Sequence, residues 1–379
     1  MRVLFSTLFL VLLLPSLLQA QAKPEKEYLF YVLSEAADKI SLVRFGPDGI
    51  RVDHEIATGD MPVDIDGPHG IAVSPDRQFY FVSIAHGRPF GTVWKYATKN
   101  DALLGKVTLG YFPATMDITP DGNFLFVVNF NLHGDMVPST VSVVSTQTMT
   151  EIARIPTCTM PHGSRLNARG TKQYSACMMD DMLVEIDTGT LKASRYFIVT
   201  KGREKGLEGP PKKEATSTAT HSMHAGHGSE PPKPGDTSCS PTWAEPSIDG
   251  ASIFVACNAS SEIVEVNANT WALVRRIPAR PGVYNLDITH DGQRLLATNK
   301  RDQSVSIYDL KSGRELARVP TKRKVLHGVV VSPDDRYAFV TVEGVGSEPG
   351  TVEVIDLAAL KTVATIDVGA GAAGIDFYK

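Results

Sequence analysis

One phrase returns along this chain at intervals of 42 to 48 residues. Its copies are Pro68-His69-Gly70-Ile71-Ala72-Val73-Ser74-Pro75-Asp76, Pro113-Ala114-Thr115-Met116-Asp117-Ile118-Thr119-Pro120-Asp121, Leu286-Asp287-Ile288-Thr289-His290-Asp291 and Gly328-Val329-Val330-Val331-Ser332-Pro333-Asp334. Counted between turn positions, Asp76 to Asp121 is 45 residues, Asp121 to Arg169 is 48, Asp249 to Asp291 is 42 and Asp291 to Asp334 is 43. Each unit holds four short apolar or alternating stretches divided by Gly, Asp, Asn and Pro. Four strands in a unit of this length make the blade of a β-propeller.

The units fall at about 67–110, 111–156, 157–200, 238–279, 280–320 and 321–369. The N-terminal stretch from Glu27 to Gly59 supplies only three strands, and the C-terminus supplies one orphan, Ala373 to Tyr378. Three plus one completes a seventh blade and closes the ring, which removes the exposed sheet edge an open array would carry. The expected fold is therefore all-β, a seven-bladed propeller of four-stranded antiparallel blades over residues 23–379. Residues 1–22, with Arg2, the apolar run Val3 to Leu14 and small residues at Ala20 and Ala22, are expected to be a secretory signal peptide. Residues 201–237 are rich in Pro, Gly, Ser, Thr and Lys without apolar periodicity, and are expected to be a disordered insertion between blades four and five.

The second strands carry a more specific signature: Tyr337-Ala338-Phe339-Val340-Thr341, Leu296-Ala297-Thr298-Asn299 and Phe126-Val127-Val128-Asn129. These repeats resemble the YVTN family of seven-bladed propellers across nearly the whole chain after residue 22. That family serves many roles, so the resemblance implies the fold and leaves the function to the site. Similar propellers occur in nitrous oxide reductase, amine dehydrogenase subunits and lactonases.

The repeat also works as a ruler. Seven residues before each turn position, where the first strand enters the channel rim, stand His69, Ala114, His162, Thr242, Tyr284 and His327. His86 and His133 follow the second strands of their blades and belong to loops on the same face. Only His54 and His290 are expected elsewhere. Imidazole is a common ligand of copper, zinc, iron and nickel. His69, His86, His133, His162 and His327 are therefore the candidate metal ligands. They resemble the histidine ring that holds copper on the propeller of nitrous oxide reductase. The chain departs from that enzyme: it has fewer histidines, no adjacent His-His pair and no cupredoxin domain, so its activity is not expected here. The insertion adds His221, Met223, His224 and His227, a mixed thioether and imidazole set of the kind that suits copper.

Four cysteines allow three pairings. Cys158 and Cys239 stand near first-strand starts, Cys177 and Cys257 at second-strand ends, so topology favours Cys158–Cys177 and Cys239–Cys257, each within one blade. Closing a loop of about 20 residues is worth roughly 3 kcal/mol.

The net charge of −4 gives no footprint for nucleic acid, and no later run is apolar enough to span a membrane. Covalent haem, phosphate-loop and serine-hydrolase motifs are absent. The charged top-loop residues Arg88, Asp135, Asp180, Asp181, Lys300, Arg301 and Glu343 leave a lactonase-like hydrolase open, with Glu343 as base and Arg301 holding a carboxylate. Whether the chain is an enzyme stays undecided. The leading expectation is a monomeric, exported or periplasmic copper-binding propeller that meets a metal donor or protein partner. The alternatives are an interaction scaffold and the hydrolase.

Overall fold

The computed structural model describes residues 24–60, 65–86, 90–210 and 238–379. The segment 1–22 and the residues His221, Met223, His224 and His227 lie outside them. Seven antiparallel sheets form a closed propeller. The six internal units match the expected blades, and the ring closes as expected: Ala372–Phe377 pairs with Tyr28–Ser34 in the register Phe30↔Phe377, Tyr31↔Asp376 and Val32↔Ile375. The innermost strands are Pro68–Val73, Pro113–Ile118, Pro161–Leu166, Pro241–Pro246, Val283–Ile288, Leu326–Val331 and Ala372–Phe377. They stand side by side around a central channel.

The recurring phrase has a local physical cause. Its aspartate pins the turn from first to second strand. Asp76 Oδ1 accepts from the Ser74 hydroxyl at 2.6 Å and the Gln78 N–H at 3.0 Å. Asp249 and Asp291 do the same with Ser247 and Thr289, each at 2.6 Å. These hydroxyl bonds hold the carboxyls of Asp76, Asp249 and Asp291 below the usual range. The fourth unit has Arg169 at this place and uses Asn167 instead, whose Oδ1 accepts from the Thr171 N–H at 2.9 Å.

Between blades the sheets pack through large apolar side chains. Where the two chain ends meet blade seven the seam is aromatic: Tyr28, Phe30, Phe45, Tyr337, Phe339 and Phe377 cluster there, with Phe30 and Phe339 ring centroids 4.4 Å apart. Such pairs add about 0.5–1.5 kcal/mol each beyond burial, which suits a seam with no covalent link.

Two expectations need correction. The disulfide pairs are Cys158–Cys177 and Cys239–Cys257, with S–S distances of 2.00 and 2.03 Å. Only the second closes within one blade. Cys158 lies in Thr150–Thr159, the outer strand of blade three, which runs past a bulge to pair Thr159 with Pro138. The first disulfide therefore ties blade three to blade four. The start of the insertion is also ordered. Lys205–Leu207 adds a fifth strand to blade four, pairing Leu207 with Tyr196. Arg276 of blade five clasps its base through Glu204 at 2.7 Å and the Val199 carbonyl at 2.6 Å. The remainder of 201–237 from residue 211 lies outside the described residues.

Candidate functional site

The ruler position places seven residues around one end of the channel: His69, Ala114, His162, Thr242, Tyr284, His327 and, from the closing strand, Ala373. Hydroxyls of neighbouring blades fix their backbone. Ser83 donates to the Ala114 carbonyl at 2.9 Å, Thr115 to His162 at 2.5 Å, Thr242 to Tyr284 at 2.8 Å, Thr298 to His327 at 3.2 Å and Thr341 to Ala373 at 2.6 Å. One residue further in, the strands approach too closely for a side chain. A Cβ added at Gly70, Gly163 or Gly374 would stand 2.0–2.4 Å from the rim carbonyl of Ala114, Thr242 or His69. The glycines of the phrase thus bring the rim residues together.

Three expected histidines converge. His69, His162 and His327 are buried. Ring centroids of His69 lie 5.2 Å from His327 and 6.2 Å from His162. Tyr284 fills the remaining side, 5.4 Å from His162 and 5.2 Å from His327. His86 stands one step outside and His133 at the exposed edge, 5.6 Å from His86. Phe112 and Phe130 wall the group, with Phe130 4.7 Å from His162 and Phe112 4.9 Å from His86. His54 and His290 are remote, as expected, and are bound to Asp101 and Asp335.

The hydrogen bonds assign the ring nitrogens. Glu35, in the 3-10 turn Glu35–Ala37 of the first blade, spans two histidines: Oε2 meets His69 Nδ1 at 2.9 Å and Oε1 meets His86 Nε2 at 2.7 Å. Burial opposes the charged carboxylate. The charge of His69 and the bonds from both imidazoles outweigh it and hold Glu35 well below the usual carboxylate range. An ionised carboxylate only accepts, so both histidines donate to it, and the Nε2 of His69 is the ring nitrogen turned away from Glu35. That atom is buried without a partner.

His162 Nδ1 donates to the Thr242 carbonyl at 2.9 Å, and its Nε2 lies 3.0 Å from the Tyr284 hydroxyl. If Tyr284 donates there, its oxygen accepts from His327 Nε2 at 3.5 Å. His327 Nδ1 is then a bare lone pair, buried without a partner like His69 Nε2. Burial, the Lys300 ammonium and His69 push the His327 pKa well below the usual histidine value, so the ring is neutral. Lys300 lies 3.7 Å from the Tyr284 ring centroid and 3.1 Å from Glu343 Oε1. Burial pushes the Tyr284 hydroxyl up to about 12, against the pull of Lys300.

As the side chains stand, no three His, Cys, Asp or Glu residues among the described residues are arranged to hold one ion. The two unpartnered nitrogens nevertheless fit a metal by their chemistry: metal-binding histidines are usually oriented through their other nitrogen, which here meets the Glu35 carboxylate in His69 and the Tyr284 hydroxyl in His327. The residues proposed for hydrolysis are engaged differently: Glu343 faces Lys300, and Arg301 donates to the Asn258 carbonyl at 2.7 Å. Around the mouth the top loops expose Phe90, Tyr111, Met136, Val137 and Val345.

Sequence reasoning missed Glu35, which carries no motif. It found the Tyr284 position but gave it no role.

Residues 290–378, under a quarter of the chain, match the model of the cytochrome D1 heme domain family. A search of the curated proteins gave no match. Solved structures share the fold. The periplasmic gluconolactonase of Pseudomonas aeruginosa is 16% identical, with a TM-score of 0.69 over 93% of this chain and 99% of that one. A hydrazine synthase chain of Kuenenia stuttgartiensis is 20% identical, with a TM-score of 0.61 over 84% and 92%. The Cps50 propeller domain of Myceliophteria thermophila is 12% identical, with a TM-score of 0.58 over 81% and 88%. At these identities the likeness is one of fold.

Proposed function

We propose that this chain is an exported propeller that binds a first-row transition metal, copper before the others, at the mouth of its channel. His69 and His327 supply the donor nitrogens. His86 acts through Glu35 and His162 through Tyr284 to hold them, and His133 stands at the outer edge. The observation that carries this reading is the Glu35–His69 bond, which leaves the other ring nitrogen of His69, Nε2, buried with no protein partner. Copper leads because nitrogen donors bind Cu(II) most tightly among the divalent first-row ions. Two disulfides fit an oxidising compartment, and no helix among the described residues is long and apolar enough to cross a membrane.

The test is elemental analysis and metal titration of the exported protein beside a variant with His69, His162 and His327 changed to Ala. Wild type should carry copper or another first-row metal at near-unit stoichiometry and the variant should not. Equal metal content would end this reading.

A second reading has one observation behind it. The region similar to the cytochrome D1 heme domain includes His327, so the same histidine could serve a haem-type cofactor from the open face. An absorption band in the Soret region after purification or reconstitution would select it over a bare ion. Activity on sugar lactones would select the hydrolase, and copurification of one stable partner with no metal would select the scaffold.

A further inference from the structure

Just beneath the rim the channel narrows to a cavity of about 30 Å³, lined among others by His69, Thr115, Arg165, Trp243, Asn285 and His327. That is room for about one water-sized occupant. Three of these side chains carry a buried acceptor atom with no partner: His69 Nε2, His327 Nδ1 and Asn285 Oδ1. Each of the three residues is 4% exposed. Asn285 belongs to the inner strand Val283–Ile288, directly after the rim residue Tyr284. Its backbone N–H is satisfied by Thr298 at 3.0 Å, while its side-chain oxygen is not satisfied at all.

Two donor-bearing side chains of the lining have partners of their own. The Thr115 hydroxyl donates to the His162 carbonyl at 2.5 Å. Arg165 donates to the Ser164 carbonyl at 3.0 Å and lies 4.5 Å from the Trp243 ring centroid. An unsatisfied buried acceptor costs about 1–3 kcal/mol, so three around one cavity call for an occupant. A water molecule has two protons and can serve two of them. A cation serves all three.

We propose that the ion sits in this neck, on His69 Nε2, His327 Nδ1 and Asn285 Oδ1, with Asn285 as an oxygen ligand that no histidine count would find. This rests on the metal reading above and adds the seat of the ion and its third donor. Two imidazoles and an amide oxygen suit divalent copper, zinc or nickel, with solvent completing the coordination.

The experiment uses the full metal-free protein titrated with Cu(II), followed by calorimetry and electron paramagnetic resonance. Asn285→Ala should weaken binding about tenfold or more and shift the Cu(II) spectrum. Asn285→Asp restores an oxygen donor in nearly the same shape, and should recover the affinity lost in the alanine variant. Melting curves identify any variant that fails to fold; if Asn285→Ala does, Asn285→Gln, which displaces the oxygen, replaces it. Wild-type affinity and an unchanged spectrum in a folded Asn285→Ala or Asn285→Gln protein would overturn the proposal while leaving the histidine site standing. If wild type takes up no Cu(II), Zn(II) or Ni(II), the metal reading falls and this proposal falls with it.

Discussion

The seven inner strands carry two rings three residues apart, and the rings solve opposite problems. The upper ring is His69, Ala114, His162, Thr242, Tyr284, His327 and Ala373; the lower is Ala72, Asp117, Arg165, Glu245, Asp287, Val330 and Asp376. In the lower ring the aspartates are committed to backbone. Asp117 accepts from the Leu166 N–H at 2.8 Å, Asp287 from Val331 at 2.7 Å and Asp376 from Val73 at 2.7 Å, each reaching into the next blade. Each also caps the N–H of its own following residue. In the upper ring two ring nitrogens face nothing. Same strands and same spacing thus give one layer that latches blades and one that keeps donor atoms open. Satisfied polar groups mark structure; unsatisfied ones in a shaped cavity mark a site.

The contrast can be broken outright at the glycines between the rings. Gly163→Ala would place a Cβ 2.4 Å from both the Thr242 carbonyl and the Trp243 ring. Neither can yield cheaply, so a loss of about 3 kcal/mol or more is expected in denaturant melts, with binding lost alongside. The next effect separates the rings. His69→Ala or His327→Ala should weaken metal binding about 100-fold, with Glu35→Gln costing about 10- to 100-fold through misorientation of His69. A Glu35→Gln protein with wild-type affinity would show that the carboxylate only packs.

The lower ring should answer to pH instead. Burial raises the Asp376 carboxyl to about 6 in the folded protein, above its unfolded value. Folding therefore takes up a proton, so stability rises as pH falls toward 4 and is lost as pH rises through 6. Asp287 shifts in the same direction for the same reason. The melting temperature should decline between about pH 4 and 6 and level off above, and Asp376→Asn should flatten that decline; an unchanged slope would remove Asp376 from the account. Smallest of all, Ser74→Ala removes one buried hydroxyl that serves Asp76 and the Phe79 N–H and should cost about 1 kcal/mol at neutral pH.

How much of this was legible in the sequence follows from what repeats. The turn triad Ser74–Asp76 recurs, so blade number, ring closure and the rim column could be counted. The cysteine pairs followed from the same count, yet the blade that owns Cys158 did not, because a bulge carries the outer strand of blade three past the expected boundary. Glu35 was invisible since it sits in the one three-stranded stretch where the phrase is missing. The lower ring went unread, although the column three residues beyond the histidines is charged at five of its seven places, with Ala72 and Val330 at the others. Asn285 was not legible, because an unsatisfied oxygen is a property of a cavity and not of a residue type.

The first blade, shared by the two ends of the ring, has a consequence for assembly. Glu35 and His69 stand near the start of the ring in sequence order, His327 stands far along it, and Ala372–Phe377 is the strand that closes it. The strand that closes the circle also presses Gly374 against the His69 carbonyl. Until that strand is delivered there is no circle, and the first and last imidazoles have no reason to meet. The pocket is therefore complete only once the two ends of the ring have met, so a fault at the closing strand reaches His69 on the far side of the join as well.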